Sequence, residues 1–131
     1  MTASSAGPDG LTFELSTTVL DAPDARALAA FYRDLLGWQT MADEPDWVML
    51  RPADGGTGLS FQSEPAFVRP TWPSSTEHQQ MQMHLDVYVS DMVAGTAKAL
   101  ALGAQLADWQ PQEDVRVLLD PVGHPFCLFE S

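Results

Sequence analysis

The stretch Leu-Ser-Thr-Thr-Val-Leu-Asp-Ala-Pro-Asp at residues 15–24 leads into an amphipathic run that ends in Leu-Leu-Gly at 35–37. The same pattern returns as His-Leu-Asp-Val-Tyr-Val-Ser-Asp at 84–91, and its second copy ends in Ala-Leu-Gly at 101–103. Each copy predicts a short apolar strand, an N-capping Asp, a helix of about a dozen residues and a terminating Gly. We therefore expect two copies of one supersecondary unit.

Three more strands are predicted in each half, which makes the unit βαβββ and the chain α+β. Alternating apolar residues and intervening turn residues indicate them. The predicted strands are 11–20, 37–42, 46–51 and 58–62 in the first half, and 81–89, 104–109, 114–119 and 125–129 in the second. One helix is predicted directly after Asp24, and the other is predicted at about 91–102.

The expected organisation is one domain at 11–131 preceded by a disordered tail at 1–10. Within it, module one spans 11–63 and module two spans 81–131. The segment 64–80 between them is rich in proline and polar residues, and it is interpreted as a linker.

The composition indicates a small acidic domain with a sizeable core. The chain has 131 residues, is 45% hydrophobic and carries a net charge of −12. This charge argues against nucleic acid and anionic membranes as partners. A single cysteine, Cys127, excludes an internal disulfide and a multi-cysteine metal site. The sequence shows neither a membrane-spanning run nor a signal peptide at 1–10, so a cytoplasmic location is expected.

The predicted strand 81–89 has two chemically different faces, because successive side chains alternate across a sheet. The odd positions are apolar and are expected to pack under the helix: Met81, Met83, Leu85, Val87 and Val89. The even positions are polar and are expected to line the space around which the sheet curls: Gln82, His84, Asp86 and Tyr88.

Four stretches of the chain carry a family pattern. They are Asp24-Ala-Arg-Ala-Leu-Ala-Ala-Phe-Tyr-Arg-Asp-Leu-Leu-Gly-Trp38, His84-Leu-Asp-Val-Tyr-Val-Ser-Asp91, Ala99-Leu-Ala-Leu-Gly-Ala104 and Asp120-Pro-Val-Gly-His-Pro-Phe-Cys-Leu128. The chain thereby resembles the vicinal oxygen chelate superfamily, the glyoxalase, bleomycin-resistance and dioxygenase group. The resemblance implies two βαβββ modules whose mixed sheets form a cupped half-barrel over a pocket, usually in a homodimer.

The resemblance also implies where a metal would bind, because metal-dependent members take one ligand from the first and the last strand of each module. The corresponding positions here are Thr17, Ser60 (or Gln62 if the register differs by two residues), His84 and Cys127. His84 alone matches the residue types of the family enzymes. We therefore expect no metal or other cofactor, and His84, Gln62 and Cys127 remain the candidate ligands if a divalent ion does bind.

Several of these residues also have purely structural interpretations. His84 is interpreted either as a contact to a bound ligand, as a general base, or as a histidine left over from the family pattern that hydrogen-bonds to Asp86 or Tyr88. Cys127 is a thiolate ligand or a small buried apolar residue. Asp24 and Asp91 are interpreted as helix caps, and His78 and His124 as turn residues. Trp72, in the proline-rich segment, is interpreted as a lid or an interface anchor.

The expected function is binding of a small organic molecule in the cupped sheet, without a metal. The predicted contacts are Gln62, Trp72, His84, Asp86 and Tyr88. The alternative is a divalent-metal-dependent lyase, isomerase or dioxygenase of the same superfamily, with His84 and either Gln62 or Cys127 holding the ion. A third hypothesis is a dimeric interaction module that has no ligand.

Overall fold

The repeated sequence folds as two four-stranded sheets, each accompanied by one helix. The computed structural model describes residues 8–130, so residues 1–7 of the predicted tail lie outside the described residues. The chain divides into two compact units between Pro65 and Ala66. The first unit contains β1 (Thr17–Ala22), α1 (Ala25–Leu36), β2 (Gln39–Glu44), β3 (Trp47–Arg51) and β4 (Gly58–Ser63). The second contains β5 (Leu85–Tyr88), α2 (Met92–Leu102), β6 (Gln105–Leu106), β7 (Val115–Leu119) and β8 (Pro125–Phe129).

The two sheets have the same strand order and the same strand directions. The orders are β1-β4-β3-β2 and β5-β8-β7-β6. In each, the first strand of the module runs parallel to the last, and the other pairs are antiparallel. Both sheets are mixed and open, which confirms the predicted α+β class and the two βαβββ modules.

Both helices begin and end where the sequence predicts. Asp24 accepts hydrogen bonds from the backbone N–H groups of Arg26 and Ala27, and Asp91 accepts one from Ala94. Each helix ends at a glycine with positive φ, 71° at Gly37 and 119° at Gly103, a conformation that costs glycine little. Asp24 and Asp91 are therefore helix caps, as predicted.

Three strands are markedly shorter than predicted. The strand predicted at 11–20 begins only at Thr17, which pairs with Gly58 at the start of β4. The strand predicted at 81–89 corresponds to β5, which begins only at Leu85, opposite Phe126 of β8. Pro125, the residue before Phe126, has no N–H to donate to a longer β5. β6 covers two residues of the predicted 104–109. A strand needs a hydrogen-bonded partner as well as an apolar pattern.

The two helices pack differently against their sheets. Five residues of α1 are buried, and the Tyr32 ring stacks on Phe61 with centroids 5.6 Å apart. Of the residues in α2, all of which the structure describes, Ala99 alone is buried. Gly95 of α2 contacts Val89 so closely that a Cβ at this position would overlap the Val89 side chain. The odd face of the predicted strand thus packs under the helix at Val89, whereas Met83 is 66% exposed.

The Asp-Pro-Val-Gly-His-Pro stretch forms the turn that positions β8. Oδ1 of the buried Asp120 accepts hydrogen bonds from the backbone N–H groups of Val122, Gly123 and His124 at 2.9–3.0 Å. The backbone of His124 also closes the turn with Asp120. His124 is a turn residue, as predicted. Between residues 8 and 130, neither helix is long and apolar enough to cross a bilayer.

Candidate functional site

A cavity of about 460 Å³ lies on the second unit, over the polar face of β5 and the adjoining strands. Organic ligands occupy cavities of roughly 300–1,000 Å³, lined mainly by apolar and aromatic groups with a few polar ones. This cavity has that character. Its lining residues are Trp72, His84, Asp86, Trp109, Pro111, Gln112, Val115, Val117, Cys127 and Phe129.

Three chemically different donor groups converge at the floor of the cavity. His84 Nε2 lies 3.2 Å from Oδ1 of Asp86, and these atoms and the Cys127 Sγ all lie within 4.8 Å of one another. The sheet register produces this cluster, since Asp86 and Cys127 are directly opposite on parallel strands. His84 is two residues before Asp86 and faces the same side.

The local environment keeps the Cys127 thiol protonated at neutral pH. Burial, followed by the negative charge of Asp86 and a hydrogen bond to it, raises the pKa of Cys127 to about 11. The thiol therefore donates its proton to the Asp86 carboxylate. A protonated thiol is a poor nucleophile, so this cysteine is not activated for covalent chemistry.

Aromatic rings enclose the cluster on one side. The Trp72 ring stacks on the His84 imidazole with centroids 4.6 Å apart and 25° between the planes. Trp109 meets Trp72 edge-on at 4.9 Å. Trp72 also packs against the core cluster of the second unit that contains Val117 and Cys127. These contacts fix the orientation of His84 within the cavity.

Gln110 holds the loop that carries the outer wall of the cavity. Its side-chain amide donates to the carbonyl oxygens of Ala107 and Val117, both at 2.8 Å, and its Oε1 accepts from the N–H of Val117 at 3.0 Å. One side chain therefore anchors the loop between β6 and β7 to both of its ends. Trp109 and Gln112, on either side of Gln110, are positioned by this anchor.

The structure brings together three of the five predicted contact residues. Trp72, His84 and Asp86 line the cavity. Tyr88 lies farther along the same face of β5, is 57% exposed and packs edge-on against Phe129. Gln62 is an exposed residue of β4 in the first unit, paired with Asp21 and Trp47.

Cys127, which the sequence predicted as a candidate metal ligand, also lines the cavity, whereas the remaining lining residues were not predicted. Val115 and Val117 are paired with Phe129 and Cys127 across β7 and β8, so they share the face that carries Asp86. Strand parity combined with the register would have found them. Nothing in the sequence placed Gln112 or the anchoring Gln110, because both belong to a loop whose path depends on its contacts.

The family's metal positions differ sharply between the two units. In the first unit, the hydroxyl groups of Thr17 and Ser60 hydrogen-bond to each other at 2.8 Å. Ser60 pairs with Val19 as Cys127 pairs with Asp86, so Ser60 is the counterpart of Cys127. Neutral hydroxyl groups are weaker ligands of a transition-metal ion than imidazole, carboxylate or thiolate groups. The imidazole, carboxylate and thiol of the second unit suit a zinc-type ion, and they would supply three of its ligands.

Comparisons with known proteins agree with this architecture. A glyoxalase/bleomycin resistance protein/dioxygenase family enzyme from Burkholderia phytofirmans is 22% identical, with a TM-score of 0.68 over 90% of this chain and 98% of that one. The fosfomycin resistance protein FosX from Listeria monocytogenes is 15% identical, with a TM-score of 0.67 over 91% and 93%. An antibiotic-binding protein from a Streptomyces species is 17% identical, with a TM-score of 0.58 over 90% and 95%.

At these identities the solved structures show the fold alone, and no curated protein sequence matches the chain significantly. The family model of the glyoxalase-like domain, however, matches residues 17–129. This range contains both modules and every residue that lines the cavity. The chain belongs to the glyoxalase-like domain family.

Proposed function

We propose that the protein binds a flat organic molecule in the cavity of the second unit. The observation that carries this proposal is the arrangement of Trp72, His84 and Trp109, whose rings are packed together at the cavity wall. Aromatic rings favour offset-stacked or edge-on contacts with a planar ligand. Phe129 and the valines of β7 add apolar surface on the same face of the sheet.

The polar groups at the floor set the chemistry that the ligand must present. Asp86 is 63% exposed in its side chain and can only accept hydrogen bonds when ionised. The ligand that fits this floor therefore combines a planar ring with an N–H or O–H group directed at Asp86. Gln112, with an amide that both donates and accepts, adds a second polar contact at the wall.

The comparisons suggest where to search for this ligand. One protein of the same fold is an antibiotic-binding protein, and another is a fosfomycin resistance protein. A panel of planar antibiotics and aromatic metabolites is therefore the natural set of probes. A ligand that binds the folded state alone raises the apparent stability of the protein, and the increase grows with the logarithm of the ligand concentration relative to Kd.

The test is a thermal-shift screen of this panel, followed by calorimetric titration of every stabilising compound. Trp72→Ala should weaken binding about thirtyfold, because removal of an aromatic anchor costs about 2 kcal/mol. Trp38→Ala, in the first unit, is the control and should leave the affinity unchanged. Trp109→Phe keeps the packing and tests the edge-on contact separately. The proposal fails if no compound stabilises the protein, or if Trp38→Ala weakens binding as much as Trp72→Ala.

The alternative function, a metal-dependent lyase, isomerase or dioxygenase, is favoured by one observation, the convergence of His84, Asp86 and Cys127. The sequence alone predicted a metal-free site, and this convergence argues against that prediction. Elemental analysis of the purified protein tests it: a stoichiometric divalent metal that is lost in His84→Ala would favour the enzyme.

We also propose the homodimeric state and the cytoplasmic location implied by the sequence. Light scattering coupled to size-exclusion chromatography tests the first, with twice the chain mass expected. Fractionation of cells that express the protein tests the second. The cavity does not depend on either result, because every lining residue belongs to one unit of one chain.

A further inference from the structure

The floor of the cavity places an imidazole, a carboxylate and a thiol on two adjacent strands of one unit. We infer that His84, Asp86 and Cys127 together bind a zinc-type divalent ion, with a fourth coordination position open to the cavity. The ion site requires these three residues and does not depend on the proposed organic ligand. The role of the fourth position, which is to receive a donor atom of the organic ligand, rests on the proposed function.

The positions of the three donor atoms are close to what such an ion needs. Tetrahedral zinc with bonds of about 2.0–2.3 Å separates its ligand atoms by about 3.3–3.8 Å. Nε2 of His84 and Oδ1 of Asp86 are already 3.2 Å apart, and no pair in the cluster exceeds 4.8 Å. The largest separation in the cluster would therefore have to shorten by about 1 Å for tetrahedral coordination.

The donor types select the class of ion. A thiolate favours zinc and similar ions over magnesium and calcium, which prefer all-oxygen sites. Binding would replace the thiol proton of Cys127 with the metal and release that proton to solvent. Trp72, stacked on His84, would hold the imidazole in place around the bound ion, as groups beyond the direct ligands commonly do.

This donor set departs from the family pattern, which draws ligands from both modules. Thr17 and Ser60 occupy the module-one positions, and their hydroxyl groups are bonded to each other. Asp86, two residues after His84, supplies the carboxylate instead. Its counterpart in the first unit is Val19, which cannot ligate a metal. The inferred site is therefore complete within the second unit.

Titration of the chelator-treated full chain with Co²⁺ tests the site directly. Tetrahedral cobalt bound to a thiolate shows a sulfur-to-metal charge-transfer band and strong visible d–d bands. We expect both, with one Co²⁺ per chain and displacement by equimolar Zn²⁺. Because Cys127 is the only cysteine in the sequence, the charge-transfer band reports this residue alone.

Matched variants identify the other two ligands. Cys127→Ser keeps the size of the side chain and should abolish the charge-transfer band. Asp86→Asn and His84→Ala should each weaken Co²⁺ binding by at least about tenfold. His78→Ala removes an exposed imidazole that contacts Ser75 and should change nothing. Circular dichroism of each variant confirms that it is folded.

The outcomes separate the ion site from the proposed function. Absence of the charge-transfer band at millimolar Co²⁺ overturns the ion site, even if an organic ligand still stabilises the protein. Unchanged Co²⁺ affinity in folded Asp86→Asn also overturns it, because the inferred donor set requires that carboxylate. A band in wild type together with failure of every organic probe would support the ion site and contradict the proposed function.

Discussion

The two units share one scaffold but differ at three equivalent positions. Thr17 and His84 each lie seven residues before a capping Asp, and Val19 and Asp86 each lie five residues before it. Ser60 and Cys127 are their partners on the parallel strand. In the first unit these positions hold two hydroxyl groups bonded to each other beside an apolar side chain. In the second they hold an imidazole, a carboxylate and a thiol beside a cavity.

This difference shows that the duplicated backbone brings side chains at equivalent positions together in both units. The chemical type of those side chains decides whether they can bind a ligand. A hydroxyl pair that satisfies itself needs neither ligand nor ion. An exposed carboxylate next to an imidazole and a buried thiol leaves acceptor capacity open. The same strand pairing therefore yields an internally satisfied contact in one unit and a candidate binding site in the other.

The helices provide the largest expected contrast. Leu28 of α1 is fully buried, whereas Leu100 of α2 is 42% exposed. Leu28→Ala should lower the free energy of unfolding by about 2–5 kcal/mol, because it leaves a cavity in the core. Leu100→Ala should lower it by less than about 1 kcal/mol. Urea denaturation measures both. A large loss in Leu100→Ala would show that the exposed face of α2 is covered in solution.

The Cys127 thiol gives the next contrast, because its counterpart in the first unit is the hydroxyl group of Ser60. Its pKa of about 11, against an ordinary value of 9.0, lowers the thiolate fraction near neutral pH about a hundredfold. Alkylation of the metal-free protein should therefore rise with pH toward about 11 rather than 9. Asp86→Asn should move that profile to lower pH, because it removes the neighbouring charge. An unchanged profile would show that Asp86 does not act on the thiol.

The same shift has a consequence for stability. Because the pKa of Cys127 is higher in the folded protein than in the unfolded chain, the contribution of this thiol to stability is complete below about pH 9. This contribution is lost as the pH rises through the folded value of about 11. Chemical denaturation at several pH values in that window should show a smaller loss for Asp86→Asn than for wild type.

Gly95 of α2 tests the close contact between helix and sheet in the second unit. Replacement of a helical glycine by alanine normally stabilises a protein by about 0.5–1 kcal/mol. Here the added methyl group would overlap Val89, so Gly95→Ala should instead destabilise by about 1–3 kcal/mol. Val89→Ala should remove the penalty in the double variant. Stabilisation by Gly95→Ala alone would contradict the contact.

The hydroxyl pair of the first unit gives the smallest expected effect. Thr17→Val keeps the shape of the side chain and leaves the fully buried Ser60 hydroxyl without this partner, at a cost of about 0.5–1.5 kcal/mol. The double variant Thr17→Val, Ser60→Ala should recover most of this loss. If the double variant instead loses as much stability as the two single variants added together, the hydroxyl groups do not interact.

Most of the fold could be predicted from the sequence because its signals are local. The capping Asp residues, the terminal glycines and the Asp120 turn each act through backbone groups a few residues away. The strand ends were predicted less accurately. Leu11, Phe13 and Leu15 have the alternation of a strand, yet they are 55–84% exposed and precede β1 because β4 offers them no partner.

By itself, the sequence determined the repeat, the helix boundaries, the family and the polar face that carries His84 and Asp86, because these depend on short-range patterns. Only the tertiary structure decided which donors meet. It aligned Cys127 with Asp86 through the register of β5 and β8, and it placed Trp72 on His84. Contacts between residues far apart in the chain depend on strand register and loop path, which local sequence does not encode.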